Sequence, residues 1–160
     1  MGLNNIISKI FGSKADRDNK AVQPFLEKVL DVSPELEGLN NDELRERVDV
    51  LKNGIREFIK EDMDQIAALK EKAENLDIWE REDIFNEIDK IEENIDKILE
   101  DYLNGILPEA FAIVKETAKR FKNNKEIIVT ATDFDKELAT HNDFVDIKGD
   151  KAVWYNTWVA

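Results

Sequence analysis

The residue types that carry most enzyme chemistry are sparse in this chain, and their spacing is wrong for it. His141 is the single histidine and there is no cysteine, so a histidine or cysteine metal cluster and a thiol nucleophile are both unavailable. No serine stands in a recognisable nucleophile elbow, which leaves a hydrolytic triad unsupported. Asp133-Phe134-Asp135 opens like a calcium loop, but Leu138 occupies the position that needs glycine and Phe144 the position of the bidentate glutamate. Adjacent carboxylates such as Glu61-Asp62 and Glu92-Glu93 are commonplace in so acidic a chain and do not mark an acid–base pair. A phosphate loop needs consecutive backbone N–H donors and a lysine. Gly2, Gly12, Gly38, Gly54, Gly105 and Gly149 are too scattered to supply it, and no Gly-Lys-Thr or Gly-Lys-Ser occurs. The expectation is no catalytic, cofactor-binding or metal site in this chain.

What remains is the chemistry of surfaces. Leu3, Ile6, Ile7, Ile10 and Phe11 recur at helical spacing as one apolar stripe, with Asn4, Asn5, Ser8 and Lys9 on the other face. Such a stripe can lie in a membrane surface while Lys9 and Lys14 meet lipid phosphates, or it can pack on the rest of its own protein. Trp154, Tyr155 and Trp158 could form a stacking platform or cover a small sheet. His141 reads as a surface loop residue.

The net charge of −13 disfavours a phosphate backbone as partner, so no nucleic-acid binding is expected. Residues 1–30 run against that trend, with Lys9, Lys14, Arg17, Lys20 and Lys28 against Asp16, Asp18 and Glu27. No apolar run approaches the roughly 20 residues that span a bilayer. The N-terminal stripe is too interrupted for a signal peptide, and the chain is expected to be soluble.

The elements that position these surfaces are mostly helical. Gly12 is placed to end the first helix and Ser13 to cap a second through Phe25, Leu26, Val29 and Leu30, which Pro24 should bend or break. Ser33-Pro34 reads as a restart that Gly38 closes. Asn40 with Glu43 forms a capping-box signature, and Leu39 can staple onto Leu44. From there a helix of about 35 residues is expected, through Val48, Leu51, Ile55, Ile59, Met63, Ile66, Leu69, Ala73 and Leu76. Ile84, Ile88, Ile91, Ile95, Ile98 and Tyr102 follow at heptad spacing, so two long amphipathic helices should pair as an antiparallel hairpin. Asn104-Gly105 should end its second arm. Pro108 should open a returning helix that buries Phe111, Val114, Ala118 and Phe121. The β-branched run Ile127-Ile128-Val129-Thr130 predicts a strand, residues 133–139 a single helical turn, and residues 144–155 a β-hairpin turning at Lys148-Gly149-Asp150.

Three phrases carry a family resemblance. Phe11-Gly12-Ser13-Lys14-Ala15-Asp16-Arg17-Asp18 is similar to the segment after the first short helix of SecA, the ATP-driven motor of bacterial protein secretion. Leu39-Asn40-Asn41-Asp42-Glu43-Leu44-Arg45 resembles that family's "L-S-D-E-E-L" helix start, with Asn40 in place of the serine cap. Gly105-Ile106-Leu107-Pro108-Glu109-Ala110-Phe111-Ala112-Ile113-Val114-Lys115-Glu116 resembles its "L-L-P-E-A-F-A-V-V-R-E" phrase. The chain departs from the common pattern in the segments 52–101 and 123–160, as an expanded lineage variant would.

The resemblance implies an N-terminal segment of a translocase that drives secretory preproteins through the SecYEG channel with ATP and Mg2+. Those cofactors belong to the parent family and its glutamine and G-E-G-K-T motifs, which this chain lacks, so the segment should be inactive alone. It also implies that Leu3, Ile6, Ile7, Lys9, Ile10, Phe11 and Lys14 contact acidic phospholipid and the channel. Location would then be cytoplasmic, peripheral to the inner face of the bacterial plasma membrane. The expected fold is mostly α, with a long antiparallel helical hairpin, a short amphipathic N-terminal helix and a small C-terminal antiparallel β appendage. Three parts are expected: residues 1–12 as the contacting helix, 13–122 as a helical segment with a coiled-coil hairpin at about 52–104, and 123–160 as a β-rich segment. The rest of the motor is the implied partner, and a homodimer is left open. The alternative is an acidic, non-enzymatic adaptor that binds another protein through its hairpin.

Overall fold

The computed structural model describes residues 14–157. Within them, helices α1 (Lys14–Glu37), α2 (Asn41–Phe58), α3 (Lys60–Glu74) and α4 (Arg81–Asn123) precede strand β1 (Glu126–Thr130), helix α5 (Asp133–Ala139) and strands β2 (Val145–Lys148) and β3 (Lys151–Tyr155). The strands form one antiparallel sheet in the order β1-β3-β2. A mostly helical chain with a small antiparallel sheet at its C-terminal end is thus as expected.

Local signals account for several boundaries. Asn40 accepts a hydrogen bond from the Glu43 amide at 2.9 Å, and its own amide donates to the Glu43 carboxylate at 2.7 Å, so α2 begins on a complete capping box. Thr132 and Asp135 build a second box at the start of α5. The β2–β3 turn has Gly149 at φ 65°, the left-handed value a two-residue II′-type turn asks of its first central residue.

Four expectations are corrected. Helix α1 runs unbroken through Pro24 and Pro34. Each proline forfeits one ladder bond on an exposed stretch where water can serve the freed carbonyl, and α1 is held in place by its packing on α4. Helix α4 likewise continues through Asn104-Gly105 and Pro108. A mid-helix glycine costs only about 1 kcal/mol, less than separating two apolar clusters that the same helix serves on either side. The long helix after Asn40 is interrupted, at Ile59 (φ −103°, ψ 6°) rather than at Gly54. Gly54 instead permits a close approach, because a Cβ there would stand 2.6 Å from the Tyr102 hydroxyl. Finally, the second half of α4 buries Pro108, Ala112, Ile113 and Glu116, while Phe111, Val114 and Ala118 are exposed. Phe121 alone of the expected face packs inward, against the sheet. An unbroken α4 has its phase fixed by its packing on α1 and α2, which turns Ala112, Ile113 and Glu116 inward in place of Phe111 and Val114.

The buried side chains fall into three clusters. Ile66, Ala73, Ile84, Ile88 and Ile95 join α3 to the first half of α4, a pair called the arm below. Leu36, Leu44, Ala112 and Ile113 join α1, α2 and the second half of α4 at the base. Ile127, Val129, Val145 and Ala152 form the sheet's inner face, with Phe121 and Leu138 packed against it.

Candidate functional site

The densest polar chemistry among the described residues lies where the base meets the sheet. Asp135 is fully buried, and every hydrogen bond it accepts comes from a group fixed by another element or by its own cap. Arg45 of α2 binds it through two nitrogens, Nη1 to Oδ2 at 2.8 Å and Nη2 to Oδ1 at 3.0 Å. Trp154 Nε1 of β3 donates to Oδ1 at 3.0 Å, and the Thr132 amide and hydroxyl each donate to Oδ2 at 2.7 Å. Burial pushes this carboxyl upward, but the Arg45 and Thr132 hydrogen bonds outweigh it and hold the pKa at about 2. The group is an anion at neutral pH and serves as a structural knot.

The outer edge of β1 is closed by side chains rather than by another strand. Asn41 Nδ2 donates to the Ile128 carbonyl at 3.2 Å and Arg45 Nη1 to the Thr130 carbonyl at 3.2 Å. Asp42 accepts from the Thr130 amide at 2.7 Å and its hydroxyl at 2.9 Å. These bonds hold the Asp42 carboxyl below its usual range. The first turn of α2 therefore acts as a substitute strand, leaving this edge less open to stray pairing.

Arg120 of α4 ties the helices in the same manner. Its guanidinium donates to the Leu36 carbonyl at 3.1 Å, the Leu39 carbonyl at 2.7 Å, Asn41 Oδ1 at 2.9 Å and Glu116 Oε1 at 2.9 Å. Carbonyls at the C-terminal end of α1 lack intrahelical donors and carry partial negative charge, so a cation supplied by α4 both caps and docks α1. Lys119 to Glu37 at 2.7 Å reinforces the joint. Between these knots, a cavity of about 270 Å3 is lined by Leu44, Val48, Ile113, Phe121, Ile127 and others.

The sequence-predicted contact residues are only partly visible here. Leu3, Ile6, Ile7, Lys9, Ile10 and Phe11 lie outside the described residues, and Lys14 is the exposed first residue of α1. The calcium-like acids are spoken for: Asp135 by Arg45, Thr132 and Trp154, and exposed Asp133 by Lys136 at 2.9 Å. Trp154 packs on Phe144 with ring centroids 5.9 Å apart, and Tyr155 bonds Asp146 at 2.9 Å, so both belong to the sheet. His141 is exposed. Gly54 and Gly105 lie mid-helix, Gly38 just after α1 and Gly149 in a hairpin. Gly38 stands just ahead of α2, whose first turn is already capped by the Asn40–Glu43 box. Sequence reasoning missed Arg45, Asp135 and Arg120. The Thr132-x-x-Asp135 spacing was the available clue to one of them.

The comparisons agree with the resemblance noted above. The family model described as the SecA DEAD-like domain matches residues 7–138. The chain belongs to the SecA family. A protein translocase subunit SecA of Bacteroides fragilis is 48% identical over 160 residues, covering 100% of this chain and 14% of its own length. The corresponding protein of Porphyromonas gingivalis is 46% identical over 160 residues, with 100% of this chain and 14% of its own length covered. That of Flavobacterium psychrophilum is 43% identical over 159 residues, with 99% and 14% covered. The chain therefore spans about 14% of the length of the curated relatives it matches, at their N-terminal end. Because the matches run along essentially the whole chain, the segments 52–101 and 123–160 are common to these relatives. No solved structure matches the chain. No helix among the described residues is long and apolar enough to cross a membrane.

Proposed function

We propose that this chain is the forepart of a SecA-type protein translocase motor, serving as a tether and a rigid frame for it. The observation that carries this reading is the match of essentially the whole chain, at 43–48% identity, to the N-terminal 14% of proteins named protein translocase subunit SecA. ATP and Mg2+ chemistry would reside in the remaining length of such a motor, which would work at the SecYEG channel on the inner face of the plasma membrane. Residues 1–12 would be the tether, with Leu3, Ile6, Ile7, Ile10 and Phe11 entering the interface and Lys9 and Lys14 meeting acidic headgroups. Residues 13–122 would be the frame, with α3 and the first half of α4 pairing as a coiled coil. Residues 123–160 would lead toward the nucleotide-binding core. The knots at Asp135 and Arg120 support a frame role, since they fix helices and sheet without leaving a reactive group free.

Flotation of the chain with vesicles tests the tether. Binding to vesicles rich in anionic lipid, weaker on neutral vesicles and lost in the Ile6→Asp/Ile10→Asp double variant, is the expected result. Equal flotation of the variant, or none of the parent chain, would overturn it.

A further inference from the structure

The joint between α3 and α4 presents two large apolar side chains to water. Ile78 is 74% exposed and Trp79 89% exposed, although the turn that carries them is well built. Arg81 Nε donates to the Leu76 carbonyl at 2.9 Å, Asn75 Nδ2 to the Glu71 carbonyl at 3.1 Å, and the Glu80 amide to the Asp77 carbonyl at 3.0 Å. The turn is thus ordered before anything binds, and the entropy cost of presenting the pair is already met within the fold. Leu76, next to them, packs on the arm's own apolar cluster. Ile78 and Trp79 have no such use in the fold. Isolated exposed tryptophans are uncommon on soluble surfaces, and tryptophan is the residue type most enriched at the energetic centre of protein interfaces.

The surroundings specify the partner. Residues 71–83 carry Glu71, Glu74, Asp77, Glu80, Glu82 and Asp83 against Lys72 and Arg81, and Arg81 is engaged in closing the turn. An apolar tip inside an acidic ring is repelled by anionic lipid and by a second copy of itself. It complements an apolar cleft bordered by lysine and arginine.

We propose that Ile78 and Trp79 form a docking tip for another protein, one that offers an apolar cleft with a basic rim. Buried there, Trp79 would supply the main contact, and the acidic ring would set orientation and salt sensitivity. The assignment is independent of the tether reading, because it concerns different residues and a different class of partner.

Photo-crosslinking in the cells that make the full-length protein tests this. p-Benzoylphenylalanine is placed at Trp79 and, as a control on the same arm, at exposed Glu93. The expected result is a discrete protein adduct from position 79 and none from position 93. The crosslinked peptide should map to an apolar surface flanked by lysine and arginine. With the probe retained at 79, reversing the ring with Asp77→Lys/Glu80→Lys should reduce the adduct roughly tenfold. Circular dichroism and thermal melting of the purified variants should match the parent, since all these positions are exposed. Absence of an adduct, an adduct to lipid, to a second copy or to the protein's own remaining length, or one to an acidic surface would each overturn the proposal. An adduct that survives charge reversal unchanged would do the same.

Discussion

At the base, α1, α2, α4 and the sheet are joined by charged side chains that reach across many residues of sequence: Arg45 to Asp135, Arg120 to the end of α1, and Asp42 to Thr130. In the arm, α3 and the first half of α4 are joined by a strip of isoleucine and alanine, with an exposed Lys70–Glu92 pair at 3.7 Å as the ion pair between them. The contrast follows from what each region must do. An apolar strip holds two helices together and tolerates sliding, because dispersion and burial are weakly directional. A guanidinium shared among carbonyls and carboxylates fixes one geometry, and a fixed geometry is what lets a sheet sit at a defined place on a helical frame.

The largest break of this contrast should come from Asp135→Ala. It removes five hydrogen bonds and strands the Arg45 guanidinium in a partly buried site, which should cost about 4 kcal/mol of stability in urea titration. Ile88→Ala empties the centre of the arm's strip and should cost about 3 kcal/mol. Hydrogen exchange should place that loss in α3 and the first half of α4, leaving the β1 amides protected. Faster exchange at β1 would show that arm and base unfold together.

Acid should act on the base more than on the arm. The Asp135 pKa is about 2 in the folded chain, below its unfolded value near 3.8, so its contribution is present above about pH 4 and is lost as pH falls toward 2. That amounts to roughly 2.5 kcal/mol. The lowered carboxyls of Asp42, Glu37 and Asp133 add in the same direction. Melting followed between pH 5 and 2 should show base and sheet signals falling before those of the arm.

The smallest test separates two glycines. At Gly105 an added methyl would find no atom within 4 Å, so Gly105→Ala should stabilise by about 1 kcal/mol through helix propensity. At Gly54 the same change meets the Tyr102 hydroxyl at 2.6 Å and must displace the ring stacked on Phe58 at 4.3 Å. Its effect should have the opposite sign and a magnitude of about 1 kcal/mol.

The legible features were those written over a few neighbouring residues. The Asn40 and Glu43 cap, the β-branched run at 127–130 and the Gly149 turn all depend on groups within four residues of one another, and each appears where expected. Breaker residues misled. Pro24, Pro34, Asn104, Gly105 and Pro108 signal helix ends locally, yet α1 and α4 pass through them because contacts with other elements repay a single lost ladder bond. The inward face of α4 was misplaced for a related reason. Phe111 is 55% exposed and Ala112 fully buried, and hydrophobicity alone ranks them the other way.

By itself the sequence determined the family, the sequence of element types and the capped start of α2, since each is a matter of residue type at short spacing. Tertiary structure alone decided which face of α4 turns inward, where the long helix breaks, that Arg45 and Asp135 lock α2 to the sheet, and that Arg120 ties α4 to the end of α1. Those partners lie some 80 to 90 residues apart. No local pattern encodes such a pairing; it exists only once the chain has folded and the cost of leaving a buried charge unmatched selects the one arrangement that satisfies it.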